Sequence, residues 1–193
     1  MAEPSFGERH FGRAELGDRR RTKRLVELAD RFVAHPGGTL PEKTSSAAQL
    51  ESAYRLLRRE EVTHAAVFAA SRDETLRRAA EHEGRLLALC DTTELDYTSH
   101  ARLERLGPIG DGRGRGYLAH HVLPVDPRSR SVVGLAEQLL HFRRRVPPGE
   151  KRSQSRAALD RESRLWTRGT ARLPAHPQLT VVADRGADLF EFL

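Results

Sequence analysis

Arg85-Leu86-Leu87-Ala88-Leu89-Cys90-Asp91-Thr92-Thr93 is the stretch on which the fold turns. A compact apolar run of this length predicts a strand buried on both faces, as in a sheet with parallel partners. Asp91-Thr92-Thr93 then reads as its polar carboxyl end. A second run, Leu179-Thr180-Val181-Val182-Ala183, reads the same way and also ends in a carboxylate, Asp184. Two buried strands, each closing on an aspartate and a polar turn, suit a divalent-metal site. Mg²⁺ prefers hard oxygen ligands and binds through a few carboxylates plus substrate phosphates. Two such ions about 4 Å apart stabilise the attacking and leaving oxygens of a phosphodiester displacement. Aspartate is also a common turn former, which accounts for both residues without any metal. The strand ends alone leave both readings open.

Between these runs the pattern is that of a sheet. Gly107 to Gly116 is glycine-rich, but it has no Gly-Lys-Ser/Thr and no helix after it. It therefore reads as a flexible hairpin connection and not a phosphate loop, with Arg113 and Arg115 available for phosphate contacts. Tyr117 to Val125 and Ser131 to Leu140 read as strands joined by the turn Asp126-Pro127-Arg128-Ser129. A basic stretch, His141 to Pro148, leads into a helix of about Glu150 to Leu173, with Leu159, Glu162, Trp166 and Leu173 marking its inner face. Residues after Asp184 would open one more helix.

Upstream, the period changes from two to 3.6. Leu25, Leu28, Ala29, Phe32 and Val33 form a one-sided apolar stripe, with Asp18 as N-cap and His35-Pro36-Gly37-Gly38 as the stop. A second helix is predicted from about Ser45 to Arg59, with Leu50, Ala53, Tyr54 and Leu57 on one side. A third follows the N-cap Thr63 and runs to about His82. Arg19, Arg20, Arg21, Lys23 and Arg24 crowd the first turns of the first of these helices. Cations there oppose the helix dipole, so helix stability does not explain them. A solvated basic face and a nucleic-acid-binding edge both do.

The charge is distributed in blocks. Residues 1–60 carry net +3, 61–101 net −4, 102–172 net +9 and 173–193 net −2, within an overall +6. Thirty of the 33 basic residues are arginines, whose planar fork suits phosphate; a GC-rich genome produces the same bias. An anionic polymer is the partner this pattern favours. No apolar run approaches the roughly 20 residues needed to cross a bilayer, so no membrane partner is expected. The N-terminus lacks a signal-peptide core, and the single Cys90 has no internal disulfide partner. A cytoplasmic, nucleoid-associated setting is the expectation.

Several strings in one order resemble the bacterial cut-and-paste DDE transposases of the insertion-sequence-four family, transposon-five type. They are Leu16 to Val26 (with Asp18-Arg19-Arg20-Arg21), Ala53-Tyr54-Arg55, Leu87 to Thr93, Gly116 to Leu123 with His120, Val133-Gly134-Leu135, Glu162 to Trp166, and Val182 to Asp188. The resemblance implies an α+β or α/β chain. Residues 1–84 would be a small helical domain binding transposon-end DNA. Residues 85–193 would be an incomplete ribonuclease-H-like core of mixed sheet and helices. It further implies that Asp91 and Asp184 are the first two members of the acidic triad, catalytic and metal-binding, for Mg²⁺ or Mn²⁺. Arg24 and Arg55 match positions that bind the transposon end, and Arg19, Arg20, Arg21 and Lys23 extend that basic edge. The match is poor from His35 to Thr44.

In the family the third carboxylate lies far downstream, in a Tyr-x₂-Arg-x₃-Glu-x₆-Lys helix, and this chain stops at Leu193. The expectation is therefore a DNA-binding N-terminal fragment, inactive alone, with a core that is marginal, sticky or oligomeric. Asp188 and Glu191 qualify as substitute ligands only by their charge. Two alternatives stay open. One is a regulatory module that occupies transposon ends and inhibits an intact transposase. The other is a nuclease that completes its site in trans, through another chain. Beside transposon-end DNA, the partners to consider are an intact transposase and a second copy of this chain, as a dimer.

Overall fold

The computed structural model describes residues 3–144, 149–151 and 161–187, and the chain parts into two compact units, Met1–Arg77 and Arg78–Leu193. The first unit is helical: α1 (Phe6–Phe11), α2 (Arg19–Ala34), α3 (Leu40–Lys43), α4 (Ala47–Leu57) and α5 (His64–Ala80), the last crossing the division. α2 begins and ends where its sequence signals place it. The Asp18 side chain accepts from the Arg20 N–H at 2.8 Å, and His35 is the C-cap. Ser46 caps α4 in the same manner.

Two short helices, α1 and α3, escape the periodicity argument because one turn carries no stripe. α1 is fixed instead by long-range polar contacts. Asp30, one helix away, accepts from the Gly7 N–H at 2.6 Å and from the Ser5 hydroxyl at 2.8 Å. Gly7 also allows α1 to lie on α2, since a Cβ there would sit 2.3 Å from the Val26 carbonyl oxygen.

The core of this unit gathers Ala14, Leu16, Leu25 and Leu56, with Phe11, Val62, Ala66, Val67 and Ala70 packed around them. Burial corrects the two predicted stripes. Leu25, Leu28 and Ala29 are buried, but Phe32 and Val33 are exposed. On α4 the inward residues are Ala53 and Leu56, whereas Tyr54 and Leu57 face out. Periodicity alone misplaces these residues because an apolar residue is no proof of an inward face.

The second unit is a mixed sheet. Its strands are β1 (Leu86–Asp96), β2 (Gly107–Ile109), β3 (Gly114–Asp126), β4 (Ser131–Val132), β5 (Glu137–His141) and β6 (Leu179–Ala183). The order is β2-β3-β1-β6, with β4 and β5 also pairing β3. β3 runs antiparallel to β1 from Leu87↔Val125 to Asp96↔Gly116, and β6 runs parallel to β1 from Leu86↔Leu179 to Cys90↔Ala183. A turn of 3₁₀ helix, Glu162–Arg164, leads into α6 (Leu165–Thr170), and another, Arg185–Ala187, follows β6. Among the described residues, no helix is long and apolar enough to cross a membrane.

Three sequence expectations need correction here. β1 does not end at Asp91; it continues to Asp96 against β3. The apolar run marks only the part with neighbours on both sides, because β6 stops at Ala183. Neither β1 nor β6 is buried on both faces. In β1 Leu86, Ala88 and Cys90 are buried while Leu89 and Asp91 are exposed, and in β6 both Val181 and Val182 are 40% exposed. That alternation in β1 belongs to a sheet with one covered face. Ser131 to Leu140 is interrupted between β4 and β5, where Val133 turns inward beside Ala79 and Leu86.

The glycine-rich segment is a true hairpin, since β2 pairs β3 across Gly107↔Gly116 and Ile109↔Gly114. Of the helix expected over Glu150 to Leu173, residues 152–160, including Leu159, lie outside the described residues. So do 145–148 of the basic stretch, and Asp188 and Glu191. The described remainder ends at Thr170. Trp166 faces in as expected; Glu162 is exposed and pairs with Arg143 at 2.8 Å.

Leu86 is fully buried against Ala79, Val133 and Leu179. Leu86→Ala is expected to lower the stability of this unit by about 2–4 kcal/mol. Urea unfolding followed by the fluorescence of Trp166, the single tryptophan, measures it.

Candidate nucleic-acid interface and carboxylate site

The predicted basic residues divide into free and engaged groups. Arg19, Arg20 and Lys23 are exposed on the first turns of α2. Arg19 and Lys23 line a shallow open hollow with Glu8, Arg13, Thr22 and Val26. Arg21 is engaged: it donates to the Leu16 carbonyl at 2.8 Å and pairs with Glu61 at 2.8 Å. It ties the start of α2 to the segment ahead of α5. Arg24 pairs with Glu27 at 3.3 Å, and Arg55 with Glu51 one helical turn away. Pairs this exposed contribute little to stability and release their arginine to a better anion readily.

Around Arg55 the exposed face of α4 presents Tyr54, Arg58 and Arg59, with the Arg58 guanidinium 5.9 Å from the Tyr54 ring centre. Periodicity places Tyr54 on the core side; its exposure beside three arginines is what a phosphate-binding face with a stacking ring needs. The poorly matching stretch, His35 to Thr44, is ordered by Lys43. Its buried ammonium donates to the His35 and Gly37 carbonyls and lies 5.0 Å from the Phe32 ring centre. In the second unit Arg115 donates to the Leu103 carbonyl at 2.9 Å, while Arg113 is almost fully exposed.

The carboxylates are brought together by the parallel ladder. Asp91 and Asp184 each follow the Cys90↔Ala183 pair by one residue, on strands that lie about 4.8 Å apart. Both are exposed. Asp184 accepts from the Gly186 N–H at 2.8 Å, at the 3₁₀ turn that follows β6. Among the described residues, no three His, Cys, Asp or Glu side chains converge to hold a metal ion. The donor set matches a divalent cation in kind, with two hard oxygen groups side by side.

Two adjacent histidines on β3 lie across from this end of β1, His121 on the open face with Asp91 and His120 on the covered face with Thr92. In register, Asp91 lies opposite His121, and Thr92 opposite His120. His121 is held at its Nε2 by the Gln138 amide, 2.9 Å away on β5. Burial lowers its pKa, and Asp91 pulls the other way.

His120 is fully buried. Its Nδ1 is 2.8 Å from the Thr92 hydroxyl, and its ring meets the Trp166 face edge-on at 4.6 Å. A Cβ at Gly169 would fall 2.8 Å from its Nε2, so α6 rests directly on the imidazole. That Nε2 has no hydrogen-bond partner among the described residues, a cost of roughly 1–3 kcal/mol.

Burial, reinforced by His121, pushes the His120 pKa down to about 4, against the opposing pull of Asp91 and Asp184. Burial likewise pushes the Cys90 thiol up to about 11. Cys90 is therefore an inert core residue and no nucleophile.

The first unit thus carries an arginine-rich edge, and the sheet of the second sets two aspartates side by side. Residues 4–62 match the family model described as Transposase DNA-binding. The match covers the basic edge of α2 and all of α4. It supports a transposase-type DNA-binding segment at the N-terminus.

The neutral state of His120 gives a pH signature. An unfolded histidine takes up a proton near pH 6.5, and the folded one does so only near pH 4. The folded unit binds fewer protons in that window, so stability present above pH 6.5 is lost as pH falls towards 4, by something of order 3 kcal/mol. Urea midpoints at pH 7 and 4.5 should show this loss, and His120→Leu should show a smaller one.

Proposed function

We propose that the chain is a DNA-binding part of a DDE transposase of the insertion-sequence-four kind. The first unit grips transposon-end duplex DNA, and the second is a ribonuclease-H-like core. The observation that carries the reading is the match of residues 4–62 to a transposase DNA-binding model, on a unit whose arginines stand exposed on α2 and α4. The core assignment draws support from the sheet. An antiparallel meander, β1 and β3 with β5, is extended by a parallel strand on the far side of β1. Asp91 and Asp184 lie where that parallel strand ends.

In this reading Arg19, Arg20, Lys23 and the Arg55–Arg58–Arg59 face neutralise backbone phosphates, which supplies affinity and salt dependence. Arg24, once freed from Glu27, adds to them. Arg21 acts by holding the start of α2 in place. Asp91 and Asp184 would hold Mg²⁺ or Mn²⁺, which supplies Lewis-acid stabilisation of the charge at a reacting phosphodiester. His121 and Gln138 wall the Asp91 side of the site. With no third His, Cys, Asp or Glu converging on the two carboxylates among the described residues, binding without cleavage is the favoured reading. A regulatory role at transposon ends, in competition with an intact transposase, is the second reading, and a site completed by another chain is the third. Action on nucleoid DNA in the cytoplasm is the setting this implies.

Two outcomes test the reading. In gel shifts across a salt series, changing Arg19, Arg20 and Lys23 together to alanine should weaken duplex binding and flatten the log–log salt slope by about three. Labelled transposon-end duplex incubated with the chain and Mg²⁺ should stay uncut. Cleavage that Asp91→Ala abolishes would overturn the claim that two carboxylates are insufficient.

A further inference from the structure

We propose that His120 is a positioning residue for the Asp91–Asp184 cation site and acts through the hydroxyl of Thr92. The inference rests on the reading of those aspartates as divalent-cation ligands. At Asp91, β1 loses its parallel neighbour and is held by β3 alone. Without a side-chain anchor, this half of the strand could twist or slip, and a slip of one residue turns every side chain to the other face.

Thr92 supplies the anchor. It lies opposite His120 in the β1–β3 register, and its hydroxyl is bonded to the His120 Nδ1 at 2.8 Å. The imidazole cannot follow a moving strand. It is fully buried, edge-on to Trp166, and pressed by α6 at Gly169, where even a methyl group would collide with it. With Thr92 pinned to the covered face, strand alternation sends Asp91 to the open face, one residue beyond the Cys90↔Ala183 pair and beside Asp184.

The unpartnered Nε2 argues that the histidine does more than fill space. A leucine would fill the same volume and leave no buried nitrogen without a partner. Among the described residues, the ring's one hydrogen bond is to Thr92, the residue next to a carboxylate. Groups that orient metal ligands in this way commonly change metal affinity 10- to 100-fold when removed.

The test titrates Mn²⁺ into the full 193-residue chain by calorimetry, alongside melting of the metal-free protein. Thr92→Val keeps the shape and removes the hydroxyl; it should weaken Mn²⁺ binding about tenfold. Thr92→Ser should restore binding. His120→Asn, whose amide reaches the place of Nδ1, should retain more affinity than His120→Leu. Thr92→Val that lowers the melting temperature but binds Mn²⁺ like the wild type would reduce the bond to a packing contact and overturn the proposal. A wild-type chain that binds no Mn²⁺, or an Asp91→Asn variant that binds it equally well, would instead remove the cation reading, and the proposal with it.

Discussion

The parallel ladder between Leu86–Cys90 and Leu179–Ala183 is the contact on which the second unit depends. The antiparallel pairs join segments nearer in the chain: β1 with β3, β2 with β3, and β3 with β4 and β5. The β1–β6 pairing joins segments separated by most of the unit, and its loop-closure entropy must be met by burial along β1. It also does what no hairpin can. Parallel strands present their carboxyl ends together, so residues that leave the two strands emerge side by side. Asp91 and Asp184 are neighbours for that reason alone.

The ladder's length sets the character of the site. Because β6 stops at Ala183, β1 continues from Asp91 to Asp96 with support on one edge only. The site therefore lies at the boundary between a doubly supported and a singly supported strand. Such a boundary is open enough for a polyanion to approach. It is also loose enough to need bracing, which the Thr92–His120 bond and the Trp166–Gly169 wall provide from the covered side.

In the helical unit the same division of labour recurs between residues that build and residues that face out. Arg21 and Lys43 are cations consumed by the fold, one on a carbonyl and a glutamate, the other on two carbonyls. Arg19, Arg20, Lys23, Arg58 and Arg59 stay exposed. Composition counts all of them alike, and only their contacts separate a structural cation from one that can meet phosphate.

What was legible in the sequence is local. Caps and period place α2 from Asp18 to His35, and β6 falls on the apolar run that predicts it. The two aspartates were visible as the polar ends of apolar runs. Facing direction was not legible, as Phe32, Val33, Tyr54 and Leu57 show, because an apolar side chain carries no mark of which neighbour will cover it. Nor was the length of β1, whose polar half is a strand only because β3 pairs with it. The bracing histidine was hidden for the same reason: His120 and His121 look alike in sequence, and alternation sends one into the core and the other to the face of Asp91. By itself, then, the sequence determined the longer helices, the apolar runs of β1 and β6, and which residue types could carry charge to DNA. Register across β1, β3 and β6 decided which of those residues meet, since a pairing between distant strands is a property of the whole sheet and of no single segment.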